Sequence, residues 1–372
     1  MRLTAPYVLA YSLLAAGSAD SQVAHRLVIR SLDGKSVREI PHIGESNHVG
    51  MWSPDGKSIA FQVREDARNF IAVVQSDGKT VRVFREALSA TGESVRWSPD
   101  SRSIGFLDPG RHEFRQLNIA TGGIRTVASD SIAQVGVWIW RPDGRSIAAV
   151  MTMPGASPGL RFLRRRVDEI TLNGERRALL DTIVMRGVPG VTFIDPYTIF
   201  VRYDSAAYRM PLSGGPPQRV AELSGTAPAT GVHTTAPTGD LWAGLISGGS
   251  FDSGRIEFIS VRTGERRVVV VPFRPMMGPS PGWTPSGREL IVAGRPPLDT
   301  TNLDATTLRL LSARDSTTMR RLLTTDSATF RLYRVPVNGG EPRPIAAMGR
   351  TDGWTSVSPD GKWIVYGAMD HR

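Results

Sequence analysis

The chain has 372 residues, a formal net charge of +10 and no cysteine. Without cysteine there is no disulfide framework, no thiolate metal site and no cysteine nucleophile. The basic surplus raises the question of nucleic acid. However, only Lys35, Lys57, Lys79 and Lys362 are lysines and the rest of the 45 basic residues are arginine. That bias is expected of an arginine-favouring genome, and no aromatic residues alternate with the arginines as a base-stacking platform would require, so nucleic acid is not the expected partner.

Residues 1–24 read as a signal peptide or an N-terminal tail. Arg2 precedes a moderately apolar run from Pro6 to Ala16, and small residues follow. A cleavage after Ala19 or Ala24 would send the protein to a bacterial periplasm or out of the cell, whereas a tail that is not a signal would leave it in the cytoplasm. The run is too short to span a bilayer as a permanent helix.

From residue 25 onward the chain repeats itself. "WSPDGKSIAF" begins at Trp52, "WSPDSRSIGF" at Trp97, "WRPDGRSIAA" at Trp140, "WTPSGRELIV" at Trp283 and "VSPDGKWIVY" at Val357. Weaker echoes are "FIDPYTIFVR" from Phe193 and "TTAPTGDLWAG" from Thr234. The marker prolines are Pro54, Pro99, Pro142, Pro196, Pro237, Pro285 and Pro359. Each copy has hairpin chemistry: Pro fixes φ, Asp bonds nearby backbone, and Gly takes the left-handed position. A second hairpin follows most copies, at 70–84, 115–128, 208–221, 256–271 and 332–346. The unit therefore holds four strands, and stacked units of this size predict an all-β protein, a β-propeller of four-stranded blades.

The last copy supplies only two strands, and "RLVIRSLDGKSVREI" from Arg26 to Ile40 is a hairpin with nothing before it to pair with. Joining the two gives seven blades in one domain, 25–372, with the last blade closed by both termini. Six is the alternative if the copy at Pro196 or Pro237 is not a blade. A closed ring that leaves no terminal edge to pair is expected to be a monomer.

These "WSPDGK"-type repeats resemble the TolB-like, WD-related propeller family, which also supplies propeller domains to some peptidases. The likeness covers roughly residues 25–372. It implies the propeller fold and protein or peptide binding at the disc face. TolB itself would imply six blades and a separate N-terminal domain, and no such domain is legible before Arg26.

Two insertions interrupt the blades, at about 152–169 and 295–329, and long loops in compact domains are where individual partners are recognised. "RFLRRR" (161–166) and "MRRLL" (319–323) are expected to be solvated outer edges. "GASPG" (155–159) matches a nucleophile elbow on paper, but Pro158 follows the serine and has no N–H to offer an oxyanion.

Asp55, Asp100, Asp143 and Asp360 form a series best explained as turn residues. The following basic series, Lys57, Arg102, Arg145, Arg288 and Lys362, is best explained as solvated strand starts. The six histidines show no H-x-H or H-E-x-x-H spacing. His48, Glu93, His233 and Asp352 precede their marker prolines by a few residues each, which places them at the starts of innermost strands around one channel mouth. They are the candidate ligand- or partner-binding residues.

No catalytic residue, metal site or cofactor is expected. The function read from the sequence is a non-catalytic, protein- or peptide-binding scaffold of the bacterial envelope. The alternatives are a metal-assisted hydrolase or lyase using His48, Glu93 and His233, or a propeller domain detached from a larger peptidase or sensor protein.

Overall fold

A computed structural model of the chain describes residues 25–88, 95–108, 113–129, 135–152, 163–185, 190–203, 206–213, 215–222, 233–246, 253–275, 282–296, 304–312, 330–349 and 351–369. They form seven antiparallel sheets in a ring, a seven-bladed β-propeller.

The chain enters through the outer half of blade 7, β1 (His25–Ser31) and β2 (Val37–Glu39). Blade 1 is β3 (Ser46–Trp52), β4 (Ser58–Glu65), β5 (Arg68–Gln75) and β6 (Val81–Leu88). Blade 2 is β7 (Arg96–Trp97), β8 (Ser103–Asp108), β9 (Glu113–Asn118) and β10 (Ile124–Ala128). Blade 3 is β11 (Val135–Trp140), β12 (Ser146–Thr152), β13 (Leu163–Thr171) and β14 (Arg176–Met185). Blade 4 is β15 (Gly190–Asp195), β16 (Thr198–Tyr203), β17 (Ala206–Pro211) and β18 (Gln218–Glu222). Blade 5 is β19 (His233–Thr235), β20 (Leu241–Ile246), β21 (Gly254–Ser260) and β22 (Arg266–Val271).

Blade 6 opens with two short pieces, β23 (Arg274–Pro275) and β24 (Gly282–Trp283), which pair with different parts of β25 (Glu289–Arg295). Helix α1 (Ala305–Ser312) follows, then β26 (Phe330–Pro336) and β27 (Arg343–Gly349). Blade 7 is completed by β28 (Thr351–Val357) and β29 (Trp363–Met369). β29 pairs with β1 over seven residues, from His25↔Met369 to Ser31↔Trp363. The ring is therefore closed by hydrogen bonds between the two ends of the sequence, as the split repeat required.

The repeated turn is held by one network, seen three times over. Ser53 Oγ donates to Asp55 Oδ1 at 2.7 Å and accepts from the Ser58 N–H at 3.0 Å, while the Lys57 N–H donates to Asp55 Oδ1 at 3.0 Å. Ser98, Asp100, Arg102 and Ser103 repeat it, and so do Ser358, Asp360, Lys362 and Trp363. Gly56 and Gly361 take the left-handed conformation in the first and third of these turns, with φ of 69° and 67°, and Ser101 takes it in the second, with φ of 61°. Burial would raise the carboxyls of Asp55, Asp100 and Asp360, but the serine hydroxyls and backbone N–H groups outweigh it and hold them below their ordinary values.

The core is seven apolar clusters, one in each seam between neighbouring blades. Trp52, Trp97, Trp140 and Trp283 are buried in four of them. The indole N–H of Trp97 donates to the Met51 carbonyl (3.0 Å), and that of Trp140 to the Arg96 carbonyl (3.3 Å). Each thus bonds to the residue just before the tryptophan of the preceding blade, so one side chain packs a seam and also fixes its height.

Blade 4 departs from the pattern. Phe193 pairs with Ile199 where Trp52 pairs with Ile59, so its turn is one residue shorter and Phe193 stands in the tryptophan position.

"RFLRRR" is corrected by the structure. Arg164 to Arg166 lie in β13, the third strand, bonded on one side to β12 and on the other to β14, not on an outer edge. Arg165 is buried. The inserted connection is therefore shorter than the residues suggested, because β13 already begins at Leu163. "GASPG", "MRRLL" and most of 295–329 lie outside the described residues. α1 is capped by Asp304, whose carboxylate accepts from the Thr307 N–H at 2.9 Å.

Candidate functional site

Strand polarity decides which groups share a face of the disc. The repeated Pro turns join first to second strands and lie on one face. The starts of the innermost strands, the connections between second and third strands, and the connections between blades lie on the other. His48 is in β3, His233 in β19 and Asp352 in β28, each in the early part of an innermost strand and so towards that second face. Their side chains, and Glu93 altogether, lie outside the described residues. The two long connections, between β12 and β13 and between β25 and β26, emerge on the same face.

A set of residues that the sequence did not single out occupies the same half of the disc. Seven residues after the marker proline in the second strand, the partner on the third strand is Ala72 in blade 1, Arg115 in blade 2, Asp168 in blade 3, Glu257 in blade 5, Tyr333 in blade 6 and Val28 in blade 7. Its counterpart in blade 4 is Tyr208, opposite Val201. One structural position thus carries charged residues in blades 2, 3 and 5, tyrosine in blades 4 and 6, and small or aliphatic residues in blades 7 and 1.

The charges are compensated locally. Arg115 Nη1 lies 3.0 Å from Asp108 Oδ2, and Asp108 is buried. Arg166 Nη2 lies 2.6 Å from Asp168 Oδ2, with the aspartate side chain 1% exposed. At the seam between blades 4 and 5, Arg202 Nη2 stands 3.6 Å from Glu257 Oε2, and Arg266 Nε donates to Glu257 Oε1 at 2.5 Å. The Arg202 guanidinium also lies 5.7 Å from the centre of the Trp242 ring. A buried charge persists only with such partners, since desolvation of an uncompensated ion costs several kcal/mol.

Further toward the turn face, Glu169 accepts from Ser146 Oγ (2.7 Å), Arg177 (2.6 Å) and Arg141 (3.2 Å). Burial pushes its carboxyl up, but these hydrogen bonds and the two guanidinium charges pull it further down, below the usual glutamate range. Arg141 Nε also donates to the Pro196 carbonyl of blade 4 at 2.7 Å, so this group ties blades 3 and 4 together.

The ladder links the two sets. His233 pairs with Gly244 and Gly244 with Glu257, so the sequence candidate and the buried carboxylate occupy one row of blade 5. The equivalent row of blade 3 is Trp138, Ala149 and Asp168. The signal that could have found these positions is a carboxylate following a buried apolar residue in the third strand, as in "GRIEFIS" and "RRRVDEI". Among the described residues no group of three or more His, Asp or Glu stands placed to hold a metal ion, a statement that does not cover the four candidates.

The arrangement defines a class, the closed seven-bladed propeller with a partly charged ring of seams. Comparison with solved structures gives the same fold. The chain is similar to an oligogalacturonate lyase from Vibrio parahaemolyticus, with a TM-score of 0.65 at 10% identity over 92% of this chain and 97% of that one. It is similar also to an oligogalacturonate lyase in complex with manganese, with a TM-score of 0.61 at 12% identity over 87% and 90%. A TolB-type protein from Agrobacterium tumefaciens matches with a TM-score of 0.50 at 12% identity over 94% and 99%. No protein-family model and no curated protein sequence matches the chain. Identities this low establish the fold and leave the chemistry to the site.

Proposed function

We propose that the chain is a non-catalytic, TolB-like β-propeller that holds a protein or peptide partner of the bacterial envelope. Binding occurs at the channel mouth that carries His48, Glu93, His233 and Asp352, together with the connections 153–162 and 297–329. The observation that carries this reading is placement. The described starts of β3, β19 and β28 lie on the same face of a rigid ring as the ends of β12 and β25, from which both long connections leave, and recognition is commonly built from loops on such a scaffold. The N-terminal residues 1–24 support export, and among the described residues no helix is long and apolar enough to cross a membrane. The reading is tested by retention of a partner from an extract of the producing cells. A variant whose 297–329 segment is replaced by a short turn should lose that partner; an unchanged partner list removes the segment from the site.

A second reading has its own support. Two of the structural neighbours are oligogalacturonate lyases, one of them with manganese, and His233 shares a row with the buried Glu257. On this reading His48, Glu93 and His233 serve a metal-assisted lyase or hydrolase. A stoichiometric bound metal in the purified protein, with turnover of an oligogalacturonide abolished by His233→Ala, would establish it and overturn the non-catalytic proposal.

A further inference from the structure

Closing the ring leaves the outer strand of every blade as an open edge. Proteins blunt such edges with charge, proline or short length. Arg82, Arg85 and Glu86 do this on β6, Arg176 and Arg177 on β14, and Arg343 and Pro344 on β27, all exposed. β2 is only three residues long. β22 is different. Among the described residues the exposed large apolar side chains are Val37, Tyr197, Val268 and Val270, and the last two sit on β22 at 37% and 62% exposure. They alternate with Val269 and Val271, which are buried in the seam with blade 6. Four consecutive valines give the strand high β-propensity. It is the terminal strand of its sheet.

The charge around this edge selects the occupant. Val270 lies opposite Arg255, which is exposed; exposed Arg267 is in the first part of β22, and exposed Arg274 follows its end. The nearby carboxylates are engaged: Glu257 with Arg202 and Arg266, and Glu265 at 3.9 Å from Arg267. A second copy of this chain would bring the same arginines together, in a protein whose net charge is already +10.

We propose that β22 accepts, as an added fifth strand of blade 5, an extended segment of a partner protein in which apolar and acidic residues alternate. Main-chain pairing supplies the affinity, and the valines and arginines read the side chains. The site is on the rim of the disc and stands or falls independently of binding at the channel mouth.

The test is fluorescence anisotropy with a short labelled peptide that alternates valine and glutamate. Saturable binding is expected, with no binding of the lysine counterpart. A version N-methylated on the pairing nitrogens should bind about tenfold more weakly or worse, as should the double variant Val268→Thr, Val270→Thr, which keeps β-propensity. An unchanged melting curve for the double variant shows that its loss of binding is not loss of fold. No binding of the glutamate peptide, equal binding after N-methylation, or equal binding by the double variant overturns the proposal. A dimer in sedimentation that Val270→Lys abolishes would assign the edge to a second copy and overturn it as well.

Discussion

Two seams of the same ring are built from equivalent strand positions and stabilised in different ways. Where the chain closes on itself, Leu27, Ile29 and Val365 of blade 7 meet Trp52, Ile59, Phe61 and Val63 of blade 1 in an apolar contact. Between blades 4 and 5, Phe200, Ala207, Trp242 and Ile259 make a smaller cluster, and beside it Arg202 faces Glu257 with side chains 7% and 2% exposed. Apolar burial is non-directional and favourable at roughly 25 cal/mol per Å², which suits a junction that must hold two chain ends together. A buried ion pair adds little net stability, but its geometry is fixed and removing one member is costly. The closing seam is therefore the stability element, and the charged seams are held by ion pairs of fixed geometry.

The largest effect should come from the closing seam. Deleting Arg26–Ile40 removes β1 and β2, strips β29 of its seven-residue partner and opens the ring. The variant is expected to lose cooperative unfolding in a denaturant titration. The parent's midpoint and slope in the truncated protein would contradict closure by the termini.

Next comes Trp97→Ala. It empties a seam packed by Ile71, Val73, Phe84 and Phe106 and removes the bond to the Met51 carbonyl. The expected cost is about 3–5 kcal/mol. A loss below about 1 kcal/mol would show that the tryptophan is not an inter-blade core residue.

The charged seam separates the two principles. Glu257→Leu leaves Arg202 buried without its carboxylate and should cost about 3 kcal/mol. Adding Arg202→Leu should recover most of that, because an apolar seam of the closing type becomes possible. If the double variant is no better than the single one, the pair contributes more than mutual compensation.

The smallest effect concerns the turns. Ser98→Ala removes the hydroxyl that donates to Asp100 and accepts from the Ser103 N–H, for an expected loss of about 1 kcal/mol at neutral pH. Asp100 is held below its ordinary value when folded, so its contribution is present above the unfolded value of about 3.9 and is lost as pH falls through the folded one. The gap between parent and variant should therefore narrow below about pH 4. A gap that widened in acid would refute the assignment.

The ring was readable because turn chemistry repeats. Pro, Asp and Gly at fixed spacing mark each blade, and the unpaired hairpin at Arg26–Ile40 announced where the ring closes. Blade 4 shows the limit: with a turn one residue shorter, its proline no longer marks the aromatic position, and Phe193 rather than Ile194 fills it. The charged belt was not readable, because an arginine within a strand normally signals the solvated face. Arg165, Arg202, Asp168 and Glu257 are buried, and the Arg202–Glu257 pair joins residues tens of positions apart across a seam. "RFLRRR" was misjudged for that reason.

The central claim, that a partner docks on the face carrying the innermost strand starts, is open to direct mapping. A photo-crosslinking residue at Arg68, the first residue of β5 beside the β4–β5 turn, reports on that face, and one at Lys79, in the turn between β5 and β6, reports on the opposite one; both positions are exposed. Irradiated in an extract of the producing cells, the protein labelled at Arg68 should capture a discrete partner and the protein labelled at Lys79 should not. Capture from Lys79 alone would place the docking face on the other side of the disc and contradict the account.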